Sequence, residues 1–110
     1  MNWIELSAQE QLKDISAKSY ERPQVIFKHS TRCSISSMAK NRLERETDIP
    51  EADFYYLDLI AHRDISQQVA EDFRVHHESP QVLLIKNGEC IYDESHMGIS
   101  MHEIAEQAVG

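Results

Sequence analysis

The stretch QVLLIKNGECIYDE (Gln81–Glu94) decides how the rest of the chain is read. Two apolar runs flank Asn87-Gly88, a pair suited to the positive φ angles of a two-residue reversal, so the stretch predicts an antiparallel hairpin. Upstream the pattern alternates instead. QVIFKH (24–29) and ADFYYLDLI (52–60) are short, apolar and rich in β-branched or aromatic residues, which predicts strands. A helix is expected after Ser30-Thr31-Arg32, running to about Thr47, with Ile35, Met38, Ala39 and Leu43 inward. Another is expected over 63–75, where Ile65, Val69 and Phe73 recur at four-residue spacing. Downstream, SMHEIAEQAV (100–109) closes the chain as a helix; Ser100 and Glu103 have capping-box spacing, and Met101, Ile104, Ala105 and Ala108 form its apolar stripe.

At the other end, residues 1–22 predict an additional N-terminal helix. Ser7 and Glu10 repeat the capping-box spacing, Ile4 stands where a staple to Leu12 would form, Leu12, Ile15 and Tyr20 give a stripe, and Pro23 stops the segment. Strand, helix, strand, helix implies parallel strands joined by right-handed crossovers, and the hairpin then breaks that pattern. The expected fold class is α/β in the order α-βαβα-ββα: one domain over 1–110, with a four-stranded mixed central sheet flanked by helices.

Net charge is −8, which argues against a nucleic-acid partner, since phosphate binding calls for a basic footprint. No apolar run reaches the roughly 18 residues of a membrane span. The opening MNWIELSAQEQ lacks the basic start and apolar stretch of a secretory signal, so the expected location is cytoplasmic, with no membrane partner. Two cysteines, Cys33 and Cys90, supply no disulfide framework and suit a reducing compartment.

Cys33 stands where the first expected strand hands over to a helix. There a sulfur faces unpaired backbone N–H groups and the positive end of the helix dipole, both of which favour the thiolate. Arg32 adds a neighbouring cation, Lys28 or His29 adds another if turned inward, and Ser34 and Ser36 can donate hydrogen bonds to the sulfur. Ser36 occupies the position at which a second cysteine would complete a Cys-x-x-Cys pair. Cys90, in the second hairpin strand, is expected on the same face as Tyr92 and opposite Ile91, as a small packed residue. His76 and His77 are adjacent and point apart, and the remaining histidines lack chelating spacing, so no metal site is expected. His29 or His96 is expected to tune the thiol. In HMGIS (96–100), Gly98 and the N–H groups of a helix start could hold the carboxylate of a small thiol ligand, or form only a glycine turn and cap.

HSTRCSIS (29–36) followed by SPQVLLIKNGE (79–89) resembles the thioredoxin-like superfamily. More closely, and over essentially the whole chain, the sequence resembles the monothiol bacilliredoxins, whose motif is Thr-Cys-Pro-Ile-Ser. Here Arg32 intervenes between Thr31 and Cys33, and Ser34 replaces the proline, while Cys-x-Ile-Ser survives. The resemblance implies a thioredoxin-like fold and a cis peptide before Pro80, which would turn the Ser79 backbone toward Cys33 and an extended substrate. It implies that Cys33 is the nucleophile; together with the reading of the residues above, the expected site has Cys33 and Ser36 as catalytic residues and Thr31, Arg32, Ser34, Ser79, Pro80 and Gly98 around the substrate. The resemblance further implies removal of bacillithiol from protein mixed disulfides, with bacillithiol and bacillithiolated client proteins as partners and no cofactor. Two alternatives stand beside it. A monothiol glutaredoxin-like iron–sulfur carrier would be expected to show Cys-Gly-Phe-Ser, which CSIS lacks; a non-catalytic thioredoxin-fold adaptor would use Cys33 only structurally.

Overall fold

A computed structural model describes residues 1–109. Strand β1 (Trp3–Glu5) and helix α1 (Glu10–Lys18) precede a unit of β2 (Gln24–His29), α2 (Ser34–Arg45), β3 (Asp53–Asp58) and α3 (Arg63–Phe73). The hairpin β4 (Gln81–Lys86) and β5 (Glu89–Ser95), a 3-10 turn (His96–Gly98) and α4 (Met101–Val109) complete the order. The sheet runs β1-β3-β2-β4-β5, with β1, β3 and β2 parallel and β4 and β5 antiparallel to their neighbours.

Both faces of the sheet are covered, which explains the unbroken apolar runs of its central strands. Ile26, Tyr55, Leu57, Leu83 and Ile85 pack with α1 and α3 on one face. Val25, Phe27, Phe54, Val82 and Leu84 pack with α2 and α4 on the other. Asn87 (φ 55°) and Gly88 (φ 79°) make the expected reversal. Gly88 suits this position by its positive φ and because a Cβ there would lie 2.6 Å from Tyr20 Oη; its backbone N–H donates to Ser19 Oγ at 2.8 Å. The end of α1 is thereby docked on the hairpin. At the start of α4, the Glu103 N–H donates to Ser100 Oγ at 3.1 Å, the cap its spacing predicts.

Three expectations are corrected. The N-terminal segment is not helical throughout: Trp3, Ile4 and Glu5 pair with Phe54, Tyr55 and Tyr56, so the sheet has five strands rather than four. The Trp3 ring, stacked 5.7 Å from Phe27 with its Nε1–H on Glu44 Oε2 at 2.7 Å, anchors this strand. Ser7 does not cap α1 either. The Gln11 amide does that work, accepting the Ser7 and Ala8 N–H groups at 2.8 and 3.0 Å and donating to the Glu5 carbonyl at 2.9 Å. Ile4 is 40% exposed and Leu6 is buried in its place.

Helix α2, secondly, buries Ser36, Ala39 and Leu43 while Ile35 and Met38 face solvent. A serine can take an inward position because its hydroxyl is satisfied there, as the site geometry shows. Thirdly, the β4–β5 register slips between Leu84/Tyr92 and Ile85/Cys90, a bulge that leaves Ile91 unpaired. Cys90 therefore packs toward the α1/α3 core and Tyr92 toward the α2/α4 core, on opposite faces. Among the described residues, no helix is long and apolar enough to cross a membrane.

Candidate functional site

The chain leaves β2 at His29, turns through Ser30, Thr31 and Arg32, and enters α2 with Cys33 as its N-cap. The turn is closed by the Cys33 N–H on the Ser30 carbonyl at 3.1 Å. Cys33 is extended (φ −111°, ψ 122°), its carbonyl accepts the Ser37 N–H at 3.1 Å, and its side chain makes no capping hydrogen bond, which leaves the sulfur at the open start of the helix. The thiol is free and half-buried. Thr31, Arg32 and Ser34 surround it at the surface, all exposed. Among the described residues, neither Ser34 nor Ser36 hydrogen-bonds the sulfur.

Ser36 is fully buried. Its Oγ accepts the Ser30 N–H at 3.0 Å and lies 2.7 Å from His29 Nδ1. The sequence paired Ser36 with the sulfur; the structure adds His29 behind it. The His29 ring stacks on Phe27 at 5.8 Å and tilts against Tyr56 at 5.5 Å, a slot that fixes its orientation. Burial, and then the Lys40 ammonium, push the imidazole below the ordinary histidine value, against weaker pull from Asp58 and Glu44.

Lys28 turns to the opposite face. It is fully buried, with Nζ 3.2 Å from His77 Nδ1, while Ser66 Oγ lies 3.4 Å from the same nitrogen. Desolvation brings its ammonium down to about 8. Lys28 is thus not a neighbour of the thiol; the signal for its burial was its alternation with Ile26 in a strand covered on both faces. His76 and His77 do point apart, His76 into solvent and His77 to Lys28.

The Ser79–Pro80 peptide is cis, as the resemblance implies. Lys28 pairs with Gln81, so continuing the antiparallel register puts Pro80 opposite His29 and Ser79 opposite Ser30, at the end of the sheet that carries Cys33. The Pro80 carbonyl accepts the His96 N–H at 3.0 Å, which ties in the 3-10 turn. His96 Nε2 lies 3.6 Å from Glu78 Oε1, so its ring faces that carboxylate.

Gly98 does not form a vacant carboxylate cradle. A Cβ on Gly98 would meet Glu94 Cδ at 2.7 Å, so the chain's own carboxylate lies against it and would repel a ligand's.

Cys90 sits at the far end. Its strand partner Ile85 pairs with Gln24, the first residue of β2, whereas Cys33 follows the last. The six residues of β2 alone span roughly 17–20 Å. Burial pushes the Cys90 thiol up to about 11, and its Sγ–H donates to the Tyr92 carbonyl at 3.3 Å. It is a packed thiol, too distant to resolve a disulfide at Cys33.

Comparison with known proteins agrees with this geometry. A structure described as a candidate oxidoreductase with a thioredoxin fold is 30% identical, with a TM-score of 0.79 over 94% of this chain and 91% of its own. The Malassezia sympodialis thioredoxin Mala s 13 is 21% identical, with a TM-score of 0.78 over 97% and 91% of the two chains. The Trypanosoma brucei brucei thioredoxin, at 14% identity, has a TM-score of 0.72 over 96% and 87%. These last two show the fold, which is thioredoxin-like. The family model described as monothiol bacilliredoxin BrxC matches residues 4–104. With a free N-cap cysteine on a thioredoxin-like scaffold and a serine where a second thiol would stand, this chain is a thiol–disulfide oxidoreductase in kind and belongs to the monothiol bacilliredoxin family.

Proposed function

We propose that this protein removes bacillithiol from protein mixed disulfides, with Cys33 as the nucleophile and carrier. The Cys33 thiolate attacks the bacillithiol-side sulfur, a new disulfide forms between them, and the client leaves as its thiolate. Electrons balance within the exchange, so the chemistry asks for no cofactor; bacillithiol is a substrate. The observation that carries this reading is the position of Cys33 at the N-cap of α2 with Ser36, not a thiol, one turn on and Cys90 at the opposite end of the sheet. An adduct at Cys33 has no internal thiol to displace it, so it persists until an outside thiol arrives.

Thr31, Arg32 and Ser34 offer the exposed surface on which the small thiol would rest, and the Ser79–Pro80 backbone, beyond the last β2–β4 pair, offers an extended client a place to lie. Gly98 has no part in it.

The test is intact-mass analysis after exposure of the reduced protein to a bacillithiolated protein. We expect one bacillithiol adduct on the wild type, retained in Cys90→Ser and absent in Cys33→Ser. An unmodified wild type, or an adduct that survives Cys33→Ser, would sink the proposal.

A further inference from the structure

The buried Ser36 hydroxyl has one hydrogen to donate and two lone pairs with which to accept. One lone pair takes the Ser30 N–H at 3.0 Å, and His29 Nδ1 stands 2.7 Å from the same oxygen. Two arrangements satisfy these contacts. Where Nδ1 is bare, the Ser36 hydrogen points at it, and none remains for any other acceptor. Where Nδ1 carries a hydrogen, it donates into the second lone pair and the Ser36 hydrogen is released. Ser36 is the third helical residue after the Cys33 N-cap, on the same first turn of α2. Among the described residues the Cys33 sulfur accepts no hydrogen bond, from Ser36 or from any other group, as the first arrangement requires.

We propose that His29 is a positioning residue for the Cys33 reaction: its Nδ1 competes with the Cys33 sulfur for the Ser36 hydroxyl hydrogen, withholding it from the thiolate when bare and releasing it when protonated. This rests on the reading of Cys33 as the nucleophile and deepens it, since it names the side chain behind the serine that replaces a second thiol. The groups that face the imidazole are Lys40 and Glu44 from α2, and Asp58 and Tyr56 from β3. Lys40 opposes a proton on His29 and the two carboxylates favour it. From β4 the register brings the uncharged Pro80.

The test is the titration of Cys33, read as thiolate absorbance at 240 nm, in a Cys90→Ser background. His29→Phe keeps an aromatic ring between Phe27 and Tyr56 but removes the competing acceptor. It is expected to make Cys33 about tenfold more acidic, the scale of one hydrogen bond to a charged group. The same substitution in a Ser36→Ala background is expected to change acidity by less than about twofold, because no hydroxyl is left to contest. An equal effect in both backgrounds would mean that the imidazole acts through space, and no effect in either would mean that it does not act; each overturns the proposal. Should Ser36→Ala fail to fold, the 15N shifts of the His29 ring decide the matter in the otherwise unaltered protein. The neutral ring must carry its hydrogen on Nε2, and an Nδ1–H neutral form is the contrary result. None of these measurements involves bacillithiol, so their failure would leave the adduct experiment standing, and a negative adduct experiment would leave the titrations standing.

Discussion

Ser36→Cys is expected to turn a site that holds its adduct into one that expels it. Position 36 is the third residue after the Cys33 N-cap, on the same first turn of α2 and on its buried side. A thiol there would stand against His29 Nδ1, where Ser36 Oγ now lies at 2.7 Å, with a base at hand to accept its proton. Once Cys33 carries bacillithiol, the introduced thiolate can attack Cys33 Sγ. The Cys33–bacillithiol bond breaks, a disulfide forms across the first turn, and bacillithiol departs as its thiolate, with no outside oxidant or reductant. Attack from within one turn is intramolecular, and well-placed pairs of that kind reach effective concentrations far above any millimolar external thiol. In mass spectra followed over time without added thiol, the wild-type adduct is expected to persist. In Ser36→Cys it should disappear about a hundredfold faster or more, leaving a species two mass units below the reduced protein. Equal lifetimes would show that position 36 does not face the sulfur.

Lys28→Met is expected to stabilise the protein at neutral pH, although it deletes a hydrogen bond. Lys28 is fully buried and its partner is an imidazole nitrogen rather than a carboxylate. Desolvation lowers its ammonium from the ordinary 10.5 to about 8. Between those values the unfolded chain binds a proton that the folded chain has released, so the stability of the wild type rises with pH across that window. The penalty is fully present below about 8 and gone above 10.5. At about 1.4 kcal/mol per pH unit it amounts to roughly 3 kcal/mol, part of which the His77 contact offsets. Urea unfolding at pH 7 should therefore show Lys28→Met more stable by about 1–3 kcal/mol, with the advantage shrinking toward zero near pH 10.5. The buried Cys90 thiol, raised to about 11, pulls the other way above pH 9, but it is common to both proteins and largely cancels in their difference. A loss of stability at pH 7 would show that the Lys28–His77 contact outweighs the desolvation it incurs.

The elements with strong local signals were legible in the sequence. QVIFKH was bounded to the residue, because Pro23 and the polar turn at Ser30 punctuate it, and Asn87-Gly88 placed the hairpin because few other pairs tolerate its backbone. Cys33 was legible for the same reason: the handover from strand to helix is itself a pattern. What escaped had no local signature. Strand β1 is three residues long, too short for any periodicity, and is held by a tryptophan reaching Phe27 and Glu44 far along the chain. Hydrophobicity alone turned Met38 and Ile35 inward; the serine won that place because His29 and Ser30 satisfy its hydroxyl, a tertiary fact. Strict alternation put Cys90 with Tyr92, and one unpaired residue at the bulge undid it. Gly98 looked vacant because no pattern announces that Glu94 will lie against it.

The three-residue strand at one margin of the sheet and the bulged, acidic strand at the other have a common effect. β1 carries Glu5 and stops after covering half of β3, while β5 is interrupted at Ile91 and presents Glu89, Asp93 and Glu94. Short, charged and kinked margins are poor templates for edge-to-edge pairing. Under the proposed function, a client segment would find no margin of the sheet on which to pair and stay. Its contact would be confined to the Ser79–Pro80 end of the sheet, beside Cys33, and would be brief.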